Sequence, residues 1–393
     1  MYLDNKFVLT INGGSSSIKF ALYQTDKPLK CRLSGKIERI GLKGTTLSYT
    51  ETTNAQIYRT IIDTNDYATA INLLIAWLEP HFKNFRLVAI GHRVVHGMQH
   101  SQPEIVTQSL LDELHRISTY DPEHLPLEIQ LIKAFQRRFP HLPQIACFDT
   151  AFHQKLPRVA KLLPIPRKFD ALGVQRYGFH GLSYAYLMQE LEHLAGSTAA
   201  RGRVILAHLG NGASMAAVHE GQCLDTSMGF TPAGGLPMGT RTGDLDPGVA
   251  WYLMQSEKLN SEQFNHLINH ESGLLGVSET SSDMQDLLVH AATDERALEA
   301  IELFCYQVKK LIGAYAATLG GLDTLIFSGG IGENSPVIRT RICEGLSFLG
   351  IELDTERNAN NADVISIKGS KVEIRVIHTD EELMIARSVC HLL

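Results

Sequence analysis

Two short stretches combine the residue types that hold phosphate. Val204-Ile-Leu-Ala207 is apolar, His208 to Ser214 brings two glycines, an Asn and a Ser, and the apolar run resumes at Met215. That pattern is strand, tight turn, strand. Glycines let the turn take positive φ and let a ligand approach the main chain, and the N–H groups there form a concavity suited to phosphate oxygens. Alone, it reads more readily as an ordinary hairpin. The pattern recurs near the N-terminus, with apolar Phe7 to Ile11, small polar Asn12-Gly-Gly-Ser-Ser-Ser17, and apolar Ile18 to Leu22. With Gly14 set on Gly212, Ser16 falls on Ser214, so a duplicated domain is expected. If both turns hold phosphate, the ligand lies between the halves, in a cleft that hinge motion closes.

Charged groups stand where such a ligand needs them. Arg93 and Asp149 follow apolar strands, and in open α/β sheets ligands sit at the carboxyl ends of strands. Arg241 stands between Gly239 and Gly243, in the irregular segment Asp225 to Gly248. A long structureless segment inside a compact domain is more often functional than not. Ser328-Gly-Gly-Ile-Gly-Glu-Asn-Ser335 follows the strand Thr324 to Phe327 and precedes Pro336 at a helix start. It reads as a glycine turn, a second kind of anion platform. No G-x-x-x-x-G-K-[ST] occurs, which excludes a P-loop. The dinucleotide fingerprint and the protein-kinase H-R-D-x-x-x-x-N are missing too. His92, His96 and His100 invite a metal reading, but no third ligand type follows, and partly buried or surface histidines are the better reading.

The elements that must position these groups alternate. Gly35 to Ile61 reads as further strands of an antiparallel extension, 66–82 as a helix, and Leu87 to Ile90 as a buried strand. Helices follow at 109–117 and 127–139, then a strand at 144–148. The alternation indicates an α/β domain with a partly parallel sheet. A second half begins near Thr150, with helices expected at 183–194 and 295–319. Thr379-Asp-Glu-Glu382 reads as a capping box opening the last helix.

Bulk properties set the class. A chain of 393 residues is too long for one ordinary core, so two domains are expected. The net charge of −6 leaves no footprint for nucleic acid, and a bound polyphosphate must be neutralised by placed Arg, Lys and a divalent cation. Six scattered cysteines with no C-x-x-C favour reduced thiols. No run is long enough to span a membrane, and Met1-Tyr-Leu-Asp-Asn-Lys6 is not a signal peptide, which points to the cytoplasm.

Taken together, Asn12-Gly-Gly-Ser-Ser-Ser-Ile-Lys19, Gly91-His-Arg-Val-Val-His-Gly97, Phe148-Asp-Thr-Ala-Phe-His153, Arg176-Tyr-Gly-Phe-His-Gly181, His208-Leu-Gly-Asn-Gly212, Asp225-Thr-Ser-Met-Gly-Phe-Thr-Pro232, Met238-Gly-Thr-Arg-Thr-Gly-Asp244 and Gly329-Gly-Ile-Gly-Glu-Asn334 resemble the acetate kinase family over essentially the whole chain. The resemblance implies duplicated actin-like ATPase (ribonuclease H-like) domains, with mixed β-sheets flanked by helices around a central cleft. It implies residues 1–149 on the acyl-substrate side, joined by the C-terminal helix 380–393, and residues 150–379 on the nucleotide side. It further implies a homodimer and reversible phosphoryl transfer from ATP to acetate, giving acetyl phosphate and ADP, with Mg2+ or Mn2+. By the same resemblance Asn12 and Glu381 are metal-site residues, Arg93 binds acetate, and Asp149, His180 and Arg241 are catalytic. Lys19, His208, Leu209, Gly210, Asn211, Gly212, Asp283, Met284, Gln285, Gly330, Ile331, Gly332, Glu333 and Asn334 would form the nucleotide site.

A free carboxylic acid is already ionised at neutral pH, so a general base is barely needed, and Asp149 is expected to orient Arg93, His180 or a Mg2+ water. Glu382 fits the capping box better than any ligand role. Two departures from the family stand out. Ser118-Thr-Tyr-Asp-Pro122 replaces Pro-Leu-His-Asn-Pro near the acyl pocket, and Asp283-Met-Gln285 replaces Asp-x-Arg. A propionate or butyrate kinase, a sugar kinase and an actin-like ATPase switch are the alternatives.

Overall fold

The computed structural model describes residues 6–14, 16–41, 43–52, 56–62, 64, 66–82 and 85–393. Ser15 of the first turn and the N-terminal Met1 to Asn5 lie outside the described residues. The chain divides into two compact units, residues 1–151 with 380–393, and residues 152–379.

The first unit carries strands β1 (Lys6–Gly13), β2 (Ser17–Gln24), β3 (Lys30–Glu38), β4 (Thr46–Glu51), β5 (Ile57–Ile61), β6 (Arg86–Val94), β7 (Glu104–Ile105) and β8 (Gln144–Phe148). They form one sheet in the order β5-β4-β3-β2-β1-β6-β8-β7. β1 runs antiparallel to β2 and parallel to β6, which runs parallel to β8. Helices α1 (Tyr67–Phe82), α2 (Gln108–Ile117) and α3 (Leu125–Arg138) supply the crossovers. Phe7, Leu9 and Ile11 of β1 pack with Ile71 and Leu74 of α1 and with Leu131 and Phe135 of α3. A central strand covered on both faces must be apolar almost throughout, and from Phe7 to Gly13 β1 is wholly buried.

The C-terminal helix Glu381–Leu392 belongs to this unit and lies on β1, β2 and β6. Gly91 makes room for it, since a Cβ there would stand 2.6 Å from methyl carbons of Ile385 and Val389. That helix starts differently from the expected capping box. Its N-cap is Asp380, whose carboxylate accepts from the amide of Leu383 at 2.7 Å. Glu382 is thereby released from capping.

The second unit carries β9 (Val204–Leu209), β10 (Ala213–His219), β11 (Gln222–Thr226), β12 (Thr324–Ser328) and β13 (Glu373–Val376), in the order β11-β10-β9-β12-β13. Here too an antiparallel meander leads into parallel strands, β9 beside β12 beside β13. That sequence of pairings repeats β3-β2-β1-β6-β8, and the shared order is the duplication that the two glycine hairpins indicate.

Three local expectations need correction. The helix expected at 183–194 runs from Gly181 to Arg201, across a kink at Gly196 with φ of 85°. The presumed glycine turn after β12 is itself a short helix, Gly329–Asn334, ahead of the helix Pro336–Cys343. The carboxylate of Glu333 turns back to accept from the Gly329 amide at 2.8 Å, which satisfies a helix-end donor and lets a glycine-rich segment coil. The irregular segment ends at the helix Pro247–Ser256, where Asp246 is N-cap and Pro247 sits at the first turn.

Candidate active site

In the first unit, strand pairing sets Arg93 opposite Cys147, one residue before the end of β6. Its Nη2 donates to Asp149 Oδ2 at 2.9 Å, and its Nη1 donates to the Gly13 carbonyl at 3.2 Å. Asp149 is fully buried, and its amide donates to the Val94 carbonyl at 2.9 Å, so the parallel pair β6 and β8 fixes both partners. Burial alone would lower the Arg93 pKa, but the carboxylates of Asp149, Glu381 and Glu128 raise it well above its ordinary value. Arg93 is therefore a permanent cation with a planar fork, suited to a carboxylate.

Beside it, Asn12 Nδ2 donates to Glu381 Oε2 at 2.8 Å and to Glu382 Oε1 at 2.9 Å. Lys19 stands opposite Asn12 in the β1–β2 pairing. Desolvation pulls the ammonium pKa down, but Glu382 and Glu381 outweigh it and hold the pKa up. Burial, against the pull of Lys19, pushes the Glu382 carboxyl pKa upward. Glu382 thus stands in the cluster with Asn12 and Glu381, as a missed member rather than a cap.

Among the described residues, no group of three or more His, Cys, Asp or Glu side chains is placed to hold a metal. His92 donates its Nε2–H to Gln144 at 2.6 Å, and His96 Nδ1 accepts from the Met98 amide at 3.2 Å. His100 pairs with Glu104 at 2.7 Å.

The second unit builds its site mainly from turns. A cavity of about 830 Å³ is lined by Gly210 and Asn211 from the β9–β10 turn, Asp283, Met284 and Gln285 from a helix start, and Gly330, Ile331 and Asn334 after β12. Ser282, Leu288, Ser335, Pro336 and Val337 complete the wall; the sequence reading missed them, although each lies within three residues of a residue it chose. The structure does not bring the remaining nucleotide candidates to this wall. Leu209 and Gly332 are buried beneath it. Gly212 lies against the His180 ring, and Glu333 bonds the Thr379 amide and His378 at 3.1 and 2.8 Å. His208 is not part of the wall either, and Lys19 belongs to the other unit.

The wall has a buried support. Arg339, wholly buried, donates to the carbonyls of Gly332 and Glu333 at 2.7 and 3.0 Å, and to Asn358 Oδ1 at 2.8 Å. Those carbonyls close the helix Gly329–Asn334, where a cation is favoured. Burial lowers the Arg339 pKa to about 10, which still leaves it charged at neutral pH.

His180 carries backbone strain at the site. It adopts φ 57°, ψ 27° at the start of its helix, a left-handed conformation that costs a non-glycine residue energy. His153 Nε2–H donates to the neighbouring Phe179 carbonyl at 3.0 Å and so braces the strained turn. The His180 ring shares a hydrogen bond with Ser214 Oγ at 2.9 Å and stacks on His208 with centroids 4.2 Å apart. His208 in turn bonds Ser183 Oγ at 2.8 Å.

Arg241 donates to the Pro232 carbonyl at 3.1 Å. The loop that carries it is docked on the β9–β10 turn, because the Gly239 amide donates to the Asn211 carbonyl at 3.0 Å. A Cβ at Gly239 would stand 2.1 Å from Asn211 Oδ1, so any larger residue there must displace the Asn211 side chain. Arg176 anchors the same loop by donating to the carbonyls of Thr226, Ser227 and Met228.

Comparison with known proteins identifies the family. The sequence profile of the acetokinase family matches residues 7–387. An acetate kinase of Methylocella silvestris is 44% identical, over 99% of this chain and 98% of its own length. Two crystal structures, each 36% identical over 98% of this chain, superpose closely. They are a propionate kinase from Francisella tularensis, with TM-score 0.90 and 98% of its chain covered, and the Porphyromonas gingivalis acetate kinase, with TM-score 0.87 and 99% covered. The chain belongs to the acetokinase family, and its fold is the duplicated α/β architecture of those kinases.

Proposed function

We propose that the chain is an acetate kinase, transferring the γ-phosphoryl group of ATP reversibly to acetate to give acetyl phosphate and ADP. The observation that carries this is Arg93, a buried guanidinium pinned by Asp149 and the Gly13 carbonyl at the end of a parallel strand. Such a group recognises a small carboxylate and has little use for a neutral hydroxyl.

In this reading the acceptor carboxylate binds Arg93, and the nucleotide occupies the cavity around Gly210, Asp283 and Gly330. An acceptor oxygen attacks the γ-phosphorus, the bond to the bridging oxygen breaks, and ADP leaves with the electron pair. Negative charge spreads over the equatorial oxygens in flight, so placed positive charge does most of the work. Arg241 and His180 supply it, the former as a fork and the latter as a hydrogen-bond donor. Asp149 orients Arg93; its burial and its bond to the guanidinium support that role over proton removal, which an ionised acceptor does not need. Asn12, Glu381 and Glu382 would hold Mg2+. One or two carboxylates with waters and phosphate oxygens is its usual donor set, and Mn2+ suits the same oxygens. Bound there, the ion would draw charge from the phosphoryl oxygens.

Propionate is the second reading, favoured by the close superposition on a propionate kinase. A homodimer is proposed as well, supported by the exposed Trp251 and Tyr252 on the helix Pro247–Ser256. No helix among the described residues is long and apolar enough to cross a membrane, and cytoplasmic residence is proposed with the rest.

A hydroxylamine trap for acyl phosphate tests the activity over formate, acetate, propionate, butyrate and glucose with ATP. Acetate should give the highest kcat/KM. Phosphorylation of glucose, or ATP hydrolysis indifferent to every acceptor, would overturn the proposal.

A further inference from the structure

Helix α3 places one acid in its apolar stripe. Leu125, Glu128, Ile129 and Ile132 are all buried, and the Glu128 side chain is only 3% exposed. Its Oε2 accepts from the Val95 amide at 2.9 Å. Its Oε1 has no hydrogen-bond partner among the described residues and stands 3.9 Å from Arg93 Nη1. That distance is too long for the direct bond that a buried carboxylate needs to offset its desolvation. Arg93, moreover, already has its counter-ion in Asp149 at 2.9 Å.

We infer that Glu128 is a positioning residue for the acceptor: as a neutral acid it leaves Arg93 able to take a carboxylate, and as an anion it repels one. The inference rests on the proposed role of Arg93. With Arg93 positive, Asp149 negative and Glu128 neutral, the buried group carries no net charge. An ionised Glu128 brings it to −1, against an incoming anion in a poorly screened site.

The groups that face Glu128 set its titration. They are Arg93 from β6, Asp149 after β8, Asp121 ahead of α3, Tyr67 from α1 and the Val95 amide. Burial raises the pKa most, Arg93 and the amide oppose it, and Asp121 and Asp149 reinforce it, which leaves the carboxyl at about 8. The acid is thus mostly neutral at pH 7 and loses its proton to solvent above pH 8. Tyr67 Oη, also buried, has no hydrogen-bond partner among the described residues, so it makes no hydrogen bond to Glu128.

The test is acetate KM against pH, at saturating Mg2+ and ATP, in the wild-type protein and in Glu128→Gln. In the wild type KM should rise roughly tenfold from pH 7 to pH 9 while ATP KM stays level. Glu128→Gln should keep acetate KM level over the same range. A wild-type profile without the rise, or a Gln variant that keeps it, overturns the inference; should the variant not fold, the wild-type profile decides. Arg93→Lys at pH 7 separates the two claims. If it raises acetate KM, the reading of Arg93 stands whatever Glu128 does; if it does not, that reading fails first.

Discussion

The two hairpins Lys6–Gln24 and Val204–His219 share a position in the same sheet order and have diverged in chemistry. Around the first stand the formal charges of Lys19, Glu381, Glu382, Arg93 and Asp149, most of them withdrawn from water, with the buried acid Glu128 beside them. Around the second stand glycines, hydroxyls and stacked imidazoles, with the cavity wall made largely of turns. In the proposed function, one duplicated frame serves two tasks. A small carboxylate offers few atoms, and only fixed charge can hold it. A nucleotide offers a long surface, which shape and backbone donors can grip.

If that division is real, damage should separate by unit. Arg93→Lys keeps the charge and loses the planar fork, and kcat/KM for acetate should fall about a hundredfold or more with ATP KM little changed. Steady-state kinetics with each substrate varied in turn checks this. Gly239→Ala should do the reverse. The added methyl drives Asn211 out of place, and ATP KM should rise about tenfold while acetate KM holds. Arg339→Met should cost about 2–4 kcal/mol in chemical denaturation, because it leaves the carbonyls of Gly332 and Glu333 and the Asn358 side chain without their donor. The last effect sharpens the contrast through pH. Glu128 is ionised in the unfolded chain above about pH 4.3, yet stays protonated in the fold up to about pH 8. The folded state therefore holds the extra proton across that window, and stability falls as pH rises through it. Glu128→Gln should remove that part of the slope in denaturation curves taken from pH 5 to pH 8.

Much of the frame was legible because its signals are local. Apolar runs flanking glycine turns announce both hairpins, and the alternation of strand and helix announces the parallel strands. Arg93 was legible as a cation at a strand end. The misreadings have a common cause, in that one pattern serves two structures. Thr379-x-x-Glu382 spells a capping box, but Asp380 caps the helix and frees Glu382 to join Asn12. Three glycines in 329–332 spell a turn, until Glu333 satisfies the first amide and the segment coils. Glu128 passes for a first-turn charge answering the helix dipole. Its place in the stripe of Leu125, Ile129 and Ile132 was the available sign that it is buried. Arg339 and the partners of His180 depend on contacts distant in sequence, and no periodicity could have shown them.

The central claim is that acceptor and nucleotide are held by separate chemistries, one in each unit. Calorimetric titration of ADP into Arg93→Lys, beside the acetate kinetics of the same preparation, tests it most directly. The account predicts ADP affinity within about twofold of the wild type, alongside an acetate KM raised by an order of magnitude or more. Equal losses in ADP affinity and acetate recognition would contradict it.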